Sequence, residues 1–223
     1  MSSQIIILAT KNDGKFNEMK KRLKNAPFIF KSLNDFGPIP DIIENGKTFE
    51  ENAYIKASLT ARYLGFPAMA DDSGLVVDAL NGEPGIYSAR YAGDQATDDD
   101  KCQKILKKLE GQSNRNASFI CVLSIAVPTG PALTYEARCD GIITKTPIGR
   151  NGFGYDPIFY YPPLEKTFAQ LTTDEKNAVS HRGKALIEIV NEIDKISKWL
   201  SIHLIKANPI HANPFIKPQS SNH

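Results

Sequence analysis

The hydrophobic pattern at the start of the chain predicts a strand followed at once by a helix. Residues 4–10 form a continuous apolar run, which is typical of a strand buried on both faces. Beyond it, Phe16, Met19 and Leu23 recur at helical spacing. Asn12 stands where a helix N-cap is expected. The chain therefore opens as strand, tight turn and helix.

The next apolar positions predict a second helix and a second buried strand. Residues 25–47 are rich in Pro, Gly and Asn and indicate loop, with a short strand near residues 28–32. Thr48 and Glu51 form a capping-box pattern, and Gly65 is a natural helix stop. Residues 67–80 then predict a buried strand that is interrupted by a sharp turn at Ser73-Gly74.

The second half of the chain predicts helices around a hairpin. Thr97 precedes three aspartates, which favours a helix N-terminus there. Residues 117–127 and 132–143 predict two strands joined by Pro-Thr-Gly-Pro. A glycine-rich loop covers residues 149–161, and a capping box begins at Thr172. The final helix is predicted as one element with this apolar face: Leu186, Ile189, Val190, Ile193, Ile196 and Leu200.

These elements predict an α/β protein with a mixed twisted sheet and flanking helices. Residues 206–223 contain three prolines and no hydrophobic period, which predicts a mobile C-terminal tail. The N-terminal apolar run is too short for a signal peptide or a membrane span.

Composition narrows the class of protein. With 223 residues, the chain is long enough for one large domain or two small lobes. Its 27 basic and 25 acidic residues give a net charge of +2, which argues against a general nucleic-acid coat or a membrane-surface protein. Three cysteines without a C-x-x-C pair fit free thiols in a reducing cytoplasm.

Adjacent carboxylates supply the first candidate chemistry. Asp71 and Asp72 follow an apolar run, and carboxylates at a strand end are well placed to bind a metal or polarise a water. Glu44, in a loop, would join Asp72 around a cation. The alternative is that the Asp-Ser-Gly sequence is an ordinary surface turn.

Basic residues supply candidate anion-binding groups. Residues 10–15 lie where the first strand passes into the helix, and amide groups and the helix dipole make such a turn an anion site. Thr10, Lys11 and Lys15 would add donors, although the segment is not a Walker A loop. Lys56 lies four residues after Asn52 on one helix face and would reach a phosphate. The alternative for these lysines is ordinary solvated charge.

Aromatic and basic residues near the C-terminus suggest a base pocket. Phe153 on its glycine-rich loop would stack on a base, an interaction worth roughly 1–3 kcal/mol. Lys176, His181 and Arg182, placed at the start of the last helix, would donate hydrogen bonds to a carbonyl, a phosphate or a base edge. The alternatives are a core phenylalanine and a solvated helix face.

Taken together, these stretches resemble the inosine triphosphate pyrophosphatases, also described as dITP/XTP pyrophosphatases. The resemblance runs from about Ile5 to Trp199 in five segments: LATKNDGK, TFEENAYIKA, MADDSGLVVDALNGEPGIYSARYAG, NGFGYDPIF and LTTDEKNAVSHRGKAL. It implies hydrolysis of ITP, dITP and XTP to the monophosphate and pyrophosphate with Mg²⁺. It also implies a single two-lobed domain over residues 1–205 around a central cleft, and a homodimer. From the cysteines, the charge balance and the short apolar run we expect a cytoplasmic protein without a nucleic-acid or membrane partner.

Carried over by position, the resemblance also assigns roles to residues. It makes Asp72 catalytic and a metal ligand, Glu44 a second metal ligand and Ser73 a substrate contact. The groups matching the triphosphate site are Thr10, Lys11, Asn12, Asp13, Gly14, Lys15 and Lys56. Those matching the nucleotide pocket are Phe153, Gly154, Tyr155, Asp156, Lys176, His181 and Arg182.

Two departures from the family pattern bear on these assignments. Arg150-Asn151 stand between glycines where small residues are usual, which affects the shape of that loop. Ile43 precedes Glu44 where some relatives have a second acid. The alternatives are a related enzyme acting on other nucleotides, such as pyrimidine triphosphates, a nucleic-acid-binding module, and an interaction protein that would leave Asp72 and Glu44 unexplained.

Overall fold

A mixed seven-stranded sheet forms the centre of the fold, which confirms the predicted α/β class. The computed structural model describes residues 4–205. The strands in chain order are β1 (Gln4–Leu8), β2 (Phe28–Ser32), β3 (Ala68–Val77), β4 (Asn116–Ala126), β5 (Ala132–Ile143), β6 (Phe159–Tyr161) and β7 (Lys166–Thr167). Their order in the sheet is β2-β1-β3-β4-β5-β6-β7. β1 is parallel to β2 and β3, whereas β6 is antiparallel to β5 and β7.

Six α-helices within residues 4–205 accompany the sheet. They are α1 (Asp13–Arg22), α2 (Phe49–Leu64), α3 (Asp98–Lys108), α4 (Thr173–Val179), α5 (His181–Asn191) and α6 (Ile193–Ile205). The predicted caps are confirmed, because Asn12, Thr48, Thr97 and Thr172 each accept a hydrogen bond from a backbone N–H in the first turn. The predicted tail at residues 206–223 lies outside the described residues.

The chain divides into two compact units. The first unit comprises Met1–Asp71, Leu123–Tyr135 and Leu186–His223, of which the ends are not described. Its core sets the apolar face of α2 against β1 and the start of β3. Alanines at 53, 57 and 61 are fully buried. Because alanine is small, this face lets the helix lie close to the sheet.

The second unit comprises Asp72–Val122 and Glu136–Ala185. Its core is aromatic, with the Phe119 ring 4.6 Å from Phe159 and 5.8 Å from Phe168 between centroids. Arg115 closes the end of α3 by donating to the carbonyls of Leu109, Ile143 and Thr144 at 3.1, 2.7 and 2.6 Å. The single two-lobed domain over residues 1–205 and its cleft stay predictions.

The predicted turn at Ser73-Gly74 is wrong. β3 runs without interruption from Ala68 to Val77, so both residues lie inside a strand. β3 lies between β1 and β4 in the sheet, and β1 pairs with its first residues, Ala68 and Met69. Pairing within a sheet keeps a strand extended. Gly74 lies in the middle of this strand. Here the next residue, Leu75, donates its N–H to the buried Ser88 hydroxyl at 2.9 Å.

The prediction of a single final helix is also wrong, because this segment forms three helices, α4, α5 and α6. Ser180 is extended, with ψ at 158°, and its hydroxyl accepts the Gly183 N–H at 3.1 Å. A Cβ at Gly183 would lie 1.9 Å from the Asn177 carbonyl, so only glycine fits this junction. Lys176 therefore lies on α4 and not at the start of the last helix, and Val190 is 41% exposed.

Candidate active site

The turn after β1 is shaped by side chains that bond to its own backbone. Thr10 Oγ1 accepts the Asn12 N–H at 3.1 Å, and Asn12 Oδ1 accepts the Lys15 N–H at 3.0 Å. Asp13 Oδ1 accepts from Asn34 Nδ2 at 3.0 Å. Two of the amides expected to be available for an anion, those of Asn12 and Lys15, are thus already bonded within the turn. The lysine side chains remain as the segment's candidate anion donors.

Each candidate lysine of the first unit contacts a carboxylate. Lys15 Nζ lies 3.2 Å from Asp71 Oδ2, and Lys11 Nζ lies 2.7 Å from Asp41 Oδ1. Asp71 is buried, with 4% of its side chain exposed, whereas Asp41 is almost fully exposed. An exposed pair contributes little to stability, so the Lys15 pair is the more significant of the two. The sequence marked Asp71 as one of two adjacent carboxylates, but the family resemblance gave a role to Asp72 alone.

Lys56 connects the Glu44 loop to β3. Its ammonium lies 3.1 Å from Glu44 Oε1 and donates to the Asp71 carbonyl at 2.9 Å. The side chain thus does more than support the helix surface. One cation fixes a predicted metal ligand and the strand that carries the adjacent aspartates.

The first turn of α2 holds the loop that carries Glu44. Asn52 is 2% exposed, and its Oδ1 accepts the Gly46 N–H at 2.8 Å. A Cβ on Gly46 would lie 2.7 Å from that oxygen, so the loop fits closely against the helix. Glu51 Oε2 accepts the Lys47 N–H, which means that the predicted capping box is formed only in part. Sequence reasoning noted Asn52 only for its spacing from Lys56.

In the second unit, Asp72 and Ser73 begin the segment of β3 that belongs to this unit. Asp72 Oδ1 accepts the Ser73 N–H at 3.0 Å, which orients the carboxylate on the strand. Ser88, which bonds to Leu75, also accepts the Tyr155 hydroxyl on its carbonyl at 2.8 Å. A buried hydrogen-bond chain therefore links this part of β3 to the aromatic loop.

The aromatic loop presents Phe153 to solvent. The ring is 54% exposed, so Phe153 is not a core residue, and its flanking glycines Gly152 and Gly154 adopt φ of +78° and +63°. Its N–H donates to Asp156 Oδ2 at 2.9 Å. Lys176 pairs with the same carboxylate and places its ammonium 4.5 Å from the Phe153 ring centroid. An ammonium over an aromatic face is a stabilising contact.

Burial governs the remaining groups of this pocket. Burial raises the pKa of Asp156, against the opposing effects of Lys176 and of the Phe153 N–H. His181 and Arg182 are 7% and 5% exposed, which rules out a solvated helix face. The His181 ring lies parallel to Phe119, with 4.8 Å between the centroids and 11° between the planes. These buried donors are therefore held in fixed orientations.

Arg150 and Asn151, which depart from the family pattern in the glycine-rich loop, fit the loop through their backbones. Arg150 and Asn151 both donate their N–H groups to the Ala169 carbonyl, at 3.2 and 3.0 Å. Gly149 leaves no room for a Cβ, which would lie 2.5 Å from Ala169. Asn151 Nδ2 also donates to the Leu171 carbonyl at 3.2 Å. Larger side chains are accommodated because the main chain makes these contacts.

Comparison with known proteins identifies the family. A sequence profile described as the Ham1 family matches residues 6–192. The chain belongs to the Ham1 family. This assignment confirms the resemblance noted from the sequence.

Individual relatives of this Ham1 chain agree with the assignment. A dITP/XTP pyrophosphatase of Syntrophobacter fumaroxidans is 58% identical over 200 residues, which cover 90% of this chain and 86% of that protein. A Ham1 protein of Coxiella burnetii is similar in structure, with a TM-score of 0.81 and 44% identity, and covers 87% of this chain and 99% of its own. The Staphylococcus aureus Ham1 protein gives 0.80 and 41%, over 87% and 100%.

The predicted site residues of the Ham1 chain fall into two sets. In the first unit are Thr10, Lys11, Asn12, Asp13, Gly14, Lys15, Glu44 and Lys56. In the second unit are Asp72, Ser73, Phe153, Gly154, Tyr155, Asp156, Lys176, His181 and Arg182. In the first unit Lys56 contacts Glu44, and in the second unit Phe153, Asp156 and Lys176 contact one another. Their roles toward a nucleotide stay predictions.

Two features are absent from the described residues. No group of three or more His, Cys, Asp or Glu with the arrangement of a metal site occurs between residues 4 and 205. In the same part of the chain, no helix has the length and apolar character that crossing a membrane requires.

Proposed function

We propose that the chain hydrolyses non-standard purine nucleoside triphosphates, ITP, dITP and XTP, to the monophosphate and pyrophosphate. Membership of the Ham1 family and the names of its relatives, dITP/XTP pyrophosphatases, support this activity. The observation that carries the proposal is the exposed Phe153 ring with the Lys176 ammonium beside it. A flat aromatic surface next to a fixed cation suits a purine that carries an oxygen.

The base is proposed to stack on Phe153 within the second unit. Lys176 and Arg182 would donate to the 6-oxo group that hypoxanthine and xanthine carry, where adenine carries an amino donor. A site built around such a hydrogen bond can discriminate by about 10⁴ or more. Burial of His181 and Arg182 supports this role, because buried donors keep one direction and exclude competing water.

The triphosphate is proposed to bind the lysines of the first unit. Lys11, Lys15 and Lys56 are the cations for this role, with Thr10 through Gly14 shaping the turn that carries two of them. Each lysine contacts a carboxylate, so the phosphates would replace existing partners at these ammonium groups. Ser73 is proposed to contact the substrate beside Asp72.

A divalent cation, proposed to be Mg²⁺, would be held by Glu44 and Asp72. Their carboxylate oxygens are the ligand type that Mg²⁺ prefers, and Mg²⁺ is usually bound through one or two carboxylates together with substrate phosphates. The donor set therefore fits the ion. When bound, the ion would neutralise charge developing on the phosphates. Asp72 itself would orient the attacking water, with its carboxylate fixed by the Ser73 N–H.

Pyrophosphate release from a panel of nucleotides tests the proposal. The panel is ITP, XTP, dITP, GTP, ATP and CTP, each with Mg²⁺ and with EDTA, on the wild type and Asp72→Asn. We expect Mg²⁺-dependent release from ITP, XTP and dITP, lost in the variant. Equal release from all six would refute the base pocket, and undiminished turnover of the variant would refute the role of Asp72. Release from CTP alone would favour a pyrimidine enzyme.

Location and assembly form a separate part of the proposal. We infer a cytoplasmic homodimer that binds neither nucleic acid nor membrane. The three cysteines, all buried free thiols in the structure, suit a reducing compartment. Sedimentation equilibrium giving a mass of one chain would refute the dimer.

A further inference from the structure

The backbone of the aromatic loop is bonded to carboxylates at two consecutive amides. Phe153 N–H donates to Asp156 at 2.9 Å, and Gly154 N–H donates to Asp98 Oδ2 at 2.6 Å. Asp156 belongs to the proposed pocket, whereas Asp98 is the first residue of α3 and lies 56 positions away in sequence. Nothing in the proposed function accounts for this second carboxylate.

The same helix holds the other side of Gly154. Cys102, one turn after Asp98, directs its thiol at the Gly154 carbonyl, with 3.4 Å between Sγ and oxygen. Burial raises the pKa of Cys102 to about 12, and Asp98 adds to this effect, so the thiol stays protonated and can donate. Both polar groups of the Gly154 peptide backbone are therefore bound by α3.

Asp98 is not required to start the helix. The capping box is made by Thr97 and Asp100, whose reciprocal contacts measure 2.8 and 3.1 Å. Asp99 occupies the same first turn and carries the same charge, so it makes a similar contribution to the helix dipole. Asp98 bonds to the aromatic loop, whereas Asp100 bonds back to Thr97 within the cap.

We propose that Asp98 is a positioning residue that fixes Phe153 through the Gly154 amide, so that the ring is ready to stack on the substrate base. Lys101 holds the carboxylate from the opposite side, at 2.6 Å. An exposed aromatic side chain on a fixed backbone loses little conformational entropy on binding, which favours affinity. The effect on activity rests on the proposed function.

Three variants test this role: Asp98→Ala, Asp98→Asn and the matched control Asp99→Ala. Amide hydrogen exchange at Gly154, followed by NMR, reports the contact without any need for activity. We expect faster exchange in Asp98→Ala only. KM for ITP is expected to rise about 3- to 10-fold in that variant with kcat little changed, because ground-state binding is what weakens. Asp98→Asn, which keeps an acceptor oxygen, is expected to recover most of both values.

The outcomes separate the two proposals. Equal Gly154 exchange in Asp98→Ala and Asp99→Ala would overturn the contact, and faster exchange without a rise in KM would overturn its role in base binding. If Asp98→Ala fails to fold, Asp98→Asn gives both readouts. If the wild type hydrolyses no nucleotide, the proposed function fails, and calorimetric affinity for inosine monophosphate then takes the place of KM.

Discussion

Glycine at position 152 is expected to be essential for the aromatic loop. Two costs act on Gly152→Ala. The residue has φ of +78°, a conformation that costs an L-residue about 1–2 kcal/mol. A Cβ there would also lie 1.9 Å from Asp156 Oδ2, so the carboxylate has to move.

Gly154→Ala isolates the first of these costs. Gly154 has φ of +63°, but a Cβ there meets nothing within 4 Å. In Gly152→Ala, displacement of Asp156 breaks its contacts with the Phe153 N–H and with Lys176. Breaking a buried charge pair costs about 3–5 kcal/mol, so the two variants should differ by about that amount in free energy of unfolding.

Thermal and urea denaturation of both variants measure the difference. For a chain of this size, 1 kcal/mol lowers Tm by about 2–4 °C, so Gly152→Ala should melt about 6–20 °C below Gly154→Ala. We also expect Gly152→Ala to lose nucleotide hydrolysis, because Lys176 is released from its place beside Phe153. Melting temperatures within 2 °C of each other would show that Asp156 moves at no cost and would refute this reasoning.

Three further predictions concern the two units. Arg115→Ala is expected to lower the free energy of unfolding, measured by urea denaturation, by about 2–4 kcal/mol because three carbonyls lose their donor. Arg115→Lys should not restore this stability. A loss below about 0.5 kcal/mol would contradict the expectation. Asn52→Ala leaves the Gly46 N–H without its partner and should lower the free energy of unfolding by about 1–3 kcal/mol. It should also raise the Mg²⁺ concentration needed for half-maximal activity. Asn52→Asp, which keeps an acceptor oxygen, should be closer to the wild type in both measurements. Burial would raise the pKa of Asp98, but Lys101 and the Gly154 N–H lower it below 3.8. The loss of stability in Asp98→Asn should therefore be largest at neutral pH and should vanish as the pH falls through that lowered pKa. Equal differences in urea midpoint between wild type and variant at pH 3 and pH 7 would contradict this.

Features set by local sequence were predicted well. Asn12 and Thr48 cap their helices because the signal lies within three residues of the cap. The predicted bounds of β2, residues 28–32, also agree with the structure. The turn at Ser73-Gly74 was wrong because a local turn preference yields to the extended backbone of a strand that pairs within the sheet. The break at Glu192 was missed because the apolar period from Leu186 to Leu200 continues across it, and the break at Ser180 has no proline or glycine at that residue to mark it.

Long-range contacts account for what the sequence could not supply at the site. Asp98 was explained completely by its place at a helix start, so nothing pointed to a partner 56 residues away. The role of Asn52 could not be predicted either, because its hydrogen bond to Gly46 depends on how the loop folds back on α2. Burial of His181 and Arg182 likewise depends on aromatic residues of β4 and on the short α4. The motifs nevertheless supplied Phe153 and Glu44 as candidates, and these contacts hold the loops that carry both residues.

The lysine–carboxylate pairs of the first unit have a consequence for how charge is exchanged during binding. Lys11, Lys15 and Lys56 already have anionic partners, so a bare triphosphate would have to compete with Asp41, Asp71 and Glu44 for them. A divalent cation that satisfies a carboxylate would release its lysine to the phosphate. Nucleotide and cation should therefore each increase the affinity for the other by the same factor, as thermodynamic linkage requires.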